Sequence, residues 1–547
     1  MTPIDRRNFI GIGAAAAAGA LAHGRLVPLW AQDTRGIPMT PVVQTASGRV
    51  RGVVRFGVNQ FWGVPYAAST AGPNRFMPPM KPAPWTGVRD CFEVGHRSPQ
   101  DADGPISEVF ALDRQEPMGE DCLNINVFTP GLGAGNRPVM VWLHGGGFAG
   151  GSGNWLLYEG TNLARKEDVV VVSVTHRLNL FGFLYLAGLG GGDRWANSSN
   201  VGMQDVVAAL GWIKENIAAF GGNPSNVTTF GQSGGGSKVT TLMAMPSATG
   251  LMHRAIAMSG AQVRGATREN ATRAAEQFLG KLGLKTNQLD RLQQFTWQQL
   301  QEAFFSEPRI QGLAGGPVVD GRSLPRDQWA PDAPAVSADV PLMMGSTETE
   351  DAWSDPPPSL QMPEDEMLTR VRRIVRNDDA KARELVALYR KTHAGISNTD
   401  VYLIMNADNT RRANAQLLSE LKTAQGKAPA YLYFFNWRSP VHKGQMKAYH
   451  TLDIPFAFYN IDQAASMTGA MQNRYALAHK MSAAFAAFAR SGNPNHADLP
   501  MWPAFNARTY PTMIFGNDTK VVNDPNREER LALKAIRDAA AAISTTA

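Results

Sequence analysis

A single serine set among glycines is the part of this sequence best suited to chemistry. The stretch GQSGGGSKV runs from Gly231 to Val239 and follows the apolar, β-branched run NVTTF. Glycines let the backbone turn sharply from a strand into a helix, so a serine at the apex directs its hydroxyl outward. The pattern G-x-S-x-G is that of a nucleophile elbow, with Ser233 as the nucleophile. Because an ordinary glycine-rich turn can contain the same five residues, the rest of the chain must decide between the two interpretations.

A serine nucleophile needs partners of defined types. A base must take the hydroxyl proton, a carboxylate must orient that base, and N–H groups must bind the oxyanion of the tetrahedral intermediate. The stretch HGGGF at 144–148 precedes the elbow and ends a predicted strand. We expect the backbone N–H groups of Gly146, Gly147 and Gly234 to converge on one point, where losing one donor typically costs roughly 3–4 kcal/mol of transition-state stabilisation.

The acid and the base should follow the serine in the order Ser, Asp/Glu, His. The acid candidates lie just after a late predicted strand and are Glu348, Glu350 and Asp351. The base candidates are the histidines beyond that strand, His442, His450, His479 and His496. A predicted helix contains His479, and a turn rich in Pro and Asn contains His496, which favours packing or surface roles for both. The local pattern does not separate His442 from His450, or Glu348 from Glu350.

The elements that position these residues alternate between strands and helices. The runs PVMVWLHGGGF at 138–148 and DVVVVSVTHRL at 168–178 are continuously apolar, as in strands buried on both faces of a parallel sheet. Apolar residues recur at helical spacing over 201–220, and residues 360–425 are charged, helical in period and predicted to be peripheral helices. Two later strands and a closing helix are predicted at 340–346, 429–437 and 474–492. This alternation predicts an α/β fold with a largely parallel sheet.

Residues 1–31 have the pattern of an export signal. Arg6 and Arg7 precede a mildly apolar Ala/Gly stretch from Phe9 to Ala22, and a small-residue cleavage context ends at Ala31. This pattern is typical of a twin-arginine signal peptide. We therefore expect the mature protein to work in a bacterial periplasm or outside the cell. No later apolar run is long enough to span a membrane.

Composition argues against several other classes of protein. The formal net charge is +6 in 547 residues. However, no Lys/Arg cluster with interleaved aromatic residues occurs, so we expect no nucleic-acid partner. Cys91 and Cys122 are compatible with a disulfide or with two buried thiols, and no Cys/His spacing resembles a zinc site. The predicted chemistry needs no cofactor or metal, and the sequence does not specify an oligomeric state.

The chain resembles the type-B carboxylesterases, an α/β-hydrolase family that includes bacterial p-nitrobenzyl esterases and animal cholinesterases. The resemblance covers nearly the whole mature chain. It rests on stretches that follow one another in the family's order: FWGVPYA, EDCLNINVFTP, VMVWLHGGGFAGGSG, VGMQDVVAALGWIKENIAAFGGNPSNVTTFGQSGGG and AYHTLDIPFAF. It implies one α/β-hydrolase domain over residues 37–535, with the helical region 360–425 inside it. It also implies two structural ion pairs, Arg75 with Glu120 and Arg177 with Asp205.

The same resemblance implies a serine carboxylesterase that hydrolyses small-molecule carboxylic esters through an acyl-enzyme intermediate. In the family the acid ends a G-x-x-x-x-E stretch, here GSTETE, which implies Glu350. The base precedes a D-x-P-F-x-F segment, which implies His450. The implied triad is therefore Ser233, Glu350 and His450, and the oxyanion hole is formed by Gly146, Gly147 and Gly234.

The sequence also departs from the family pattern. Gln232 is neutral where the family usually has glutamate before the nucleophile. The segment between Ser98 and Cys122 lacks the tryptophan with which cholinesterases bind choline by cation–π attraction, so cholinesterase activity is not expected. Ser98 replaces a cysteine of the family, and a bridge from Cys91 to Cys122 is therefore not implied. Two alternatives stay open: an esterase specialised for a lactone, carbamate, toxin or lipid-type ester, and a catalytically inactive binding homologue.

Overall fold

A mixed eleven-stranded sheet forms the centre of the fold. The computed structural model describes residues 36–101, 116–133, 135–313, 315–353 and 361–546. The strands of the sheet are β3 (Val53–Arg55), β4 (Val58–Pro65), β6 (Asn124–Thr129), β7 (Arg137–Leu143), β8 (Val170–Val174), β9 (Gly222–Gln232), β10 (Arg254–Met258), β11 (Leu342–Thr347), β12 (Ala430–Phe435), β13 (Pro511–Phe515) and β14 (Lys520–Asn523). Their order in the sheet is β14-β13-β12-β11-β10-β9-β7-β8-β6-β4-β3. In this order the strands from β13 to β8 are parallel, and antiparallel strands flank them on both sides.

A second, smaller sheet joins β1 (Val43–Gln44), β2 (Arg49–Arg51) and β5 (Val88–Asp90). The sequence pattern around Gly48 predicts a hairpin at an edge, and β1 and β2 do pair in antiparallel register. The hairpin belongs to this separate sheet because β2 pairs with β5 on its other side.

Helices connect the strands of the central sheet. Those in the described residues are Thr161–Glu167, Asn179–Phe183, Val201–Asn216, Gly234–Leu242, Arg268–Lys281, Trp297–Phe305, Pro308–Leu313, Glu364–Ile374, Asp379–Thr392, Asn398–Ala407, Ala413–Ala424, Ile454–Ala457, Ala465–Thr468, Asn473–Ser491 and Arg527–Thr546. A π-helix, Asp408–Arg412, joins two of them. The closing helix ends where Gly492 adopts a left-handed conformation (φ 79°), as a glycine C-cap allows.

The apolar strands divide their side chains between the two faces of the sheet. Val139, Val141 and Leu143 of β7 belong to one hydrophobic cluster, whereas Met140 and Trp142 belong to another. Successive side chains of a strand point to opposite faces, so a strand covered on both faces must be apolar throughout. This is why the predicted run at 138–148 overlaps β7 and the run at 168–178 contains β8.

The strand register brings the carboxyl ends of four strands to one edge of the sheet. Leu143 of β7 pairs with Gly231 of β9, Gln232 pairs with Met258 of β10, and Met258 pairs with Gly345 of β11. The segments that follow β7, β9, β10 and β11 therefore emerge at the same edge. Ligand sites of open α/β sheets lie at this edge.

Two buried ion pairs hold loops against the fold, as the resemblance implies. Arg75 contacts Glu120 through two hydrogen bonds of 2.6 Å each. Arg177 contacts Asp205 through bonds of 2.6 and 2.8 Å. In both pairs the planar guanidinium meets the carboxylate in the bidentate arrangement that partly compensates the desolvation of the two charges.

The sequence also raised the questions of a disulfide bridge and of a membrane-spanning helix. Cys91 and Cys122 are both buried free thiols, and burial raises the pKa of Cys91 to about 12 and that of Cys122 further still. No helix in the described ranges combines the length and the apolar character needed to cross a bilayer. The expected export signal at 1–31 lies outside the described residues.

Candidate active site

Ser233 occupies a sharp turn between β9 and the helix Gly234–Leu242. Its backbone has φ 57° and ψ −122°, a conformation with positive φ that non-glycine residues rarely adopt. Two hydrogen bonds hold the turn: Ser233 N–H donates to the Met258 carbonyl at 2.8 Å, and Ser237 N–H donates to the Ser233 carbonyl at 3.0 Å. Its side chain is only partly buried. The turn thus has the strained strand–turn–helix geometry expected of a nucleophile elbow, and its neighbours hold it in place.

The glycines around Ser233 are required by close backbone approach. A Cβ on Gly231 would lie 2.6 Å from the Leu143 carbonyl oxygen and 2.6 Å from the Gly235 carbonyl carbon. A Cβ on Gly235 would also collide with the Leu143 carbonyl oxygen. The end of β7 therefore passes so near the elbow that only glycine fits at both positions.

The HGGG loop lies against the elbow. Gly146 and Gly147 have φ of 82° and 63°, and a side chain on Gly234 would overlap the backbone of Gly147. Gly146 and Gly147 are exposed, and within the described residues their N–H groups donate to no acceptor. Gly234 is the first residue of its helix, so its N–H has no partner inside that helix. These are the three predicted oxyanion donors.

Glu350 and His450 meet through both backbone and side chain, although 100 residues separate them. His450 N–H donates to the Glu350 carbonyl at 3.1 Å, and His450 Nδ1 lies 2.5 Å from Glu350 Oε2. The Thr347 N–H at the end of β11 donates to Glu350 Oε1 at 2.9 Å. The side chain of Glu350 is fully buried, and that of His450 is 5% exposed. This contact fixes the ring orientation of His450.

The alternative acids have other partners. Glu348 forms an ion pair with Arg438 at 2.8 Å, and Asp351 accepts a hydrogen bond from Asn406. Of the three candidate acids, Glu350 is therefore the one that contacts a candidate histidine in the described residues.

The alternative bases also lie elsewhere. His442 is exposed in a short turn, and His479 forms an exposed contact with Asp498 at 3.1 Å. His496 Nε2 lies 3.0 Å from the carbonyl oxygen of Lys480. Of the four predicted histidines, His450 alone contacts an acid candidate within the described part of the chain.

Gln232, the residue before Ser233, contacts the ring of His450. Its Nε2 is 3.2 Å from Nδ1 and 3.3 Å from Nε2 of His450, and its side chain is buried. Within the described residues no hydrogen bond joins Ser233 Oγ to His450. Because catalytic hydrogen bonds are often long without substrate and tighten when it binds, this geometry is compatible with a working Ser–His pair.

An arginine that sequence reasoning did not single out reaches the acid. Arg411 Nε lies 3.3 Å from Glu350 Oε2, the same oxygen that contacts His450. Arg411 belongs to the π-helix within the region 360–425, so this region contributes directly to the site. No local signal marked Arg411, since the run NTRRAN has the charge pattern of any solvated helix.

Burial and charge together set the protonation of this pair. Burial opposes ionisation of Glu350, but His450, Arg411 and the Ser259 hydroxyl together hold the pKa of its carboxyl below the usual value. Burial and the positive charge of Arg411 lower the pKa of His450, although Glu350 acts in the opposite direction. His450 is therefore neutral at pH 7, which is the state that a general base requires.

Lys238 is an unexpected buried cation behind the HGGG loop. Its Nζ donates to the His144 carbonyl at 2.9 Å, and burial lowers the pKa of Lys238 to about 7. The neighbouring rings of His144 and His176 are stacked with centroids 5.1 Å apart. Burial and the Lys238 charge lower the pKa of both rings, so both rings are neutral beside that cation.

Replacing Lys238 should change how stability depends on pH. The unfolded lysine keeps its proton up to about pH 10.4, whereas the folded one loses it above about 7. The unfolded state therefore binds more protons, and stability rises with pH by up to about 1.4 kcal/mol per unit between pH 7 and 9. Lys238→Met should lack this rise in urea unfolding at pH 7, 8 and 9. Lys81→Met, on the surface, should keep it, and parallel profiles for Lys238→Met and wild type would contradict the assignment.

The fold and this site together define a class of protein. A serine on a strand–turn–helix elbow, a glycine loop beside it and a later acid–histidine pair are the features of the α/β-hydrolases. A sequence model of the carboxylesterase family matches residues 39–533, and the chain belongs to that family. It is a serine carboxylesterase, an enzyme that hydrolyses carboxylic esters.

The individual relatives agree with this assignment. The para-nitrobenzyl esterase of Bacillus subtilis is 34% identical over 499 residues, covering 90% of this chain and 98% of the relative. The phenmedipham hydrolase of Pseudarthrobacter oxydans is 32% identical over 516 residues, covering 91% and 99%. A solved Geobacillus stearothermophilus carboxylesterase matches with a TM-score of 0.77 at 35% identity, covering 90% of this chain and 100% of that one.

Proposed function

We propose that this carboxylesterase acts through Ser233, His450 and Glu350. His450 takes the hydroxyl proton while Ser233 Oγ attacks the ester carbonyl carbon. The carbonyl oxygen becomes an oxyanion, to which Gly146, Gly147 and Gly234 donate hydrogen bonds. His450 then gives its proton to the departing alkoxide, the bond from carbon to that oxygen breaks, and the acyl group remains on Ser233.

Water completes the cycle. His450, neutral again, takes a proton from water while the oxygen attacks the acyl carbon, and the same N–H groups bind the second oxyanion. Its collapse releases the carboxylic acid and returns the proton to Ser233. Glu350 stabilises the imidazolium that forms in each half of the reaction, and no step requires a metal or a cofactor.

The contact of 2.5 Å between His450 Nδ1 and Glu350 Oε2 is the observation that carries this proposal. It fixes the hydrogen on Nδ1 and leaves Nε2 with the lone pair that a base needs. Gln232, the residue next to Ser233, touches the same ring. All three triad positions carry reactive residue types, which argues against a catalytically inactive binding homologue.

We propose small-molecule esters as substrates and a location outside the cytoplasm. The names of the relatives indicate a variety of esters: a para-nitrobenzyl esterase, a phenmedipham hydrolase, and a Clostridium hathewayi esterase described as hydrolysing aliphatic aromatic polyesters, which matches with a TM-score of 0.79 at 32% identity over 91% of this chain and 98% of that one. The pair Arg6-Arg7 and the Ala/Gly stretch after it support export to the periplasm or the medium.

One labelling experiment tests both parts of the proposal. The full-length chain, expressed in a bacterium with twin-arginine export, is treated with a fluorophosphonate and recovered from the periplasm and the medium. Mass spectrometry should find the adduct on the peptide that contains Ser233 and a mature N-terminus after residue 31. Ser233→Ala should remain unlabelled. An adduct on another serine would refute the nucleophile, and an intact N-terminus retained in the cytoplasm would refute export.

A further inference from the structure

A small cavity adjoins the nucleophile. It has a volume of about 240 Å³, and both Ser233 and the glycines Gly147 and Gly234 contribute to its wall. A substrate whose carbonyl oxygen reaches these glycines would extend part of itself into this space. The side chains that line the cavity therefore influence which esters can bind.

The other side chains of the wall are mostly polar. The cavity is also lined by Arg411, Asn414, Gln262 and Ser237. Among the described residues that line it, Arg411 is the one charged residue, and no acid is present. A cavity with one cation and several neutral hydrogen-bonding groups suits an anionic group better than an alkyl chain.

The guanidinium of Arg411 retains free donors. Its Nε faces Glu350 at 3.3 Å, but within the described residues Nη1 and Nη2 form no hydrogen bond, and the side chain is 32% exposed. The neighbouring acids are already engaged, since Asp408 pairs with Arg412 at 2.9 Å and Asp351 accepts a hydrogen bond from Asn406. Two N–H donors on one planar edge match the two oxygens of a carboxylate.

Asn414 adds a second free group one helical turn away. Its amide is half-buried, lines the same cavity and makes no hydrogen bond to the described residues. A half-buried amide without a protein partner is well placed to donate to a ligand. Arg411 and Asn414 therefore present unused donors to the space beside Ser233.

We propose that Arg411 and Asn414 form a subsite for a carboxylate of the substrate, so that the preferred esters carry a negative charge on one side of the scissile bond. This inference rests on the proposed role of Ser233. Glu350 offsets part of the Arg411 charge, so the gain comes from directed hydrogen bonds to Nη1, Nη2 and the Asn414 amide. Hydrogen bonds to a charged group are the stronger kind, and losing them should lower the rate on the anionic ester about 10- to 100-fold.

Two pairs of esters test the subsite and locate the charge. In the first pair, called the acyl arm, the acyl group carries the charge, and mono-p-nitrophenyl glutarate is compared with its neutral methyl ester. In the second pair, called the alcohol arm, the alcohol carries the charge, and 4-butyryloxybenzoate is compared with its neutral methyl ester. The measured quantity is the ratio of kcat/KM for the anionic ester to that for its neutral partner, which cancels any effect of Arg411 on the triad through Glu350.

Substitutions of Arg411 and Asn414 test whether these residues set that ratio. Arg411→Gln should lower the ratio at least about 10-fold in one arm, Asn414→Leu should lower it less, and Arg411→Lys should restore part of it because the charge returns without the planar pair of donors. Arg438→Gln is the matched control, since Arg438 pairs with Glu348 and Asp400 and does not line the cavity; its ratio should equal that of wild type.

The possible outcomes separate this inference from the proposed catalytic role. A ratio unchanged by Arg411→Gln in both arms, or lowered equally by Arg438→Gln, would overturn the subsite. Hydrolysis of the neutral esters that survives in Ser233→Ala would instead overturn the catalytic assignment. The arm in which the ratio depends on Arg411 identifies whether the acid or the alcohol of the substrate carries the charge.

Discussion

Ser233→Ala should lower kcat for p-nitrophenyl acetate by about 10⁶-fold, the scale seen when a triad loses its nucleophile. In the proposed mechanism the hydroxyl supplies the atom that forms the covalent intermediate, and no other described hydroxyl sits at the turn between β9 and the helix Gly234–Leu242. The side chain is small and partly exposed, so its removal leaves the turn and the glycine packing intact. Steady-state kinetics with a burst assay at high enzyme concentration measure the loss.

Ser237→Ala is the matched control for this loss. Ser237 lies one helical turn from Ser233 and lines the same cavity, but its hydroxyl is not at the elbow. It should keep kcat within a few-fold of wild type. If Ser233→Ala folds with an unchanged circular dichroism spectrum and melting temperature yet retains substantial turnover, Ser233 is not the nucleophile.

Glu350→Gln should lower kcat by about 10⁴-fold while preserving the fold, as loss of the triad carboxylate does elsewhere. The amide keeps the shape of the side chain but cannot stabilise the imidazolium, and it can hold His450 in the wrong tautomer. Glu348→Gln is the matched control, because Glu348 pairs with Arg438 outside the triad. Comparable losses in the two variants would contradict the assignment of Glu350 as the acid.

The residual activity of Glu350→Gln should also shift with pH in a defined direction. Glu350 raises the pKa of His450, whereas burial and Arg411 lower it. Removing the carboxylate removes the largest raising influence and leaves only that of Asp351 against burial and Arg411, so the pKa of His450 falls further. Activity requires neutral His450, so the acid limb of kcat/KM should lie at lower pH in Glu350→Gln than in wild type. A limb that moves upward would mean that another group titrates.

The local features of the fold were predictable because adjacent residues encode them. Continuous apolar runs predicted β7 and β8, since a strand buried on both faces has no polar position. The closing helix was predicted from its periodicity and from Gly492, whose left-handed conformation ends it. The elbow was predicted from Gly231 and Gly235, where backbone contact excludes any side chain.

The contacts between distant segments had no such local signal. Glu348, Glu350 and Asp351 have similar sequence surroundings, yet the way β11 ends brings Glu350 alone onto His450. The run containing Arg411 has the pattern of a solvated helix, but the π-helix carries that arginine to Glu350. No local pattern predicted the contact of Gln232 with both ring nitrogens of His450, because it depends on two loops that meet only in the folded chain.

The sequence by itself determined the sheet-forming runs, the elbow at Ser233, the glycine loop before it and the resemblance to one family, because these depend on neighbouring residues and on short-range sterics. Only the tertiary structure decided which acid contacts which histidine, that Arg411 and Asn414 line the cavity beside Ser233, and that Cys91 and Cys122 are free thiols. Those contacts depend on strand order and register, which align segments that lie a hundred residues apart in the chain.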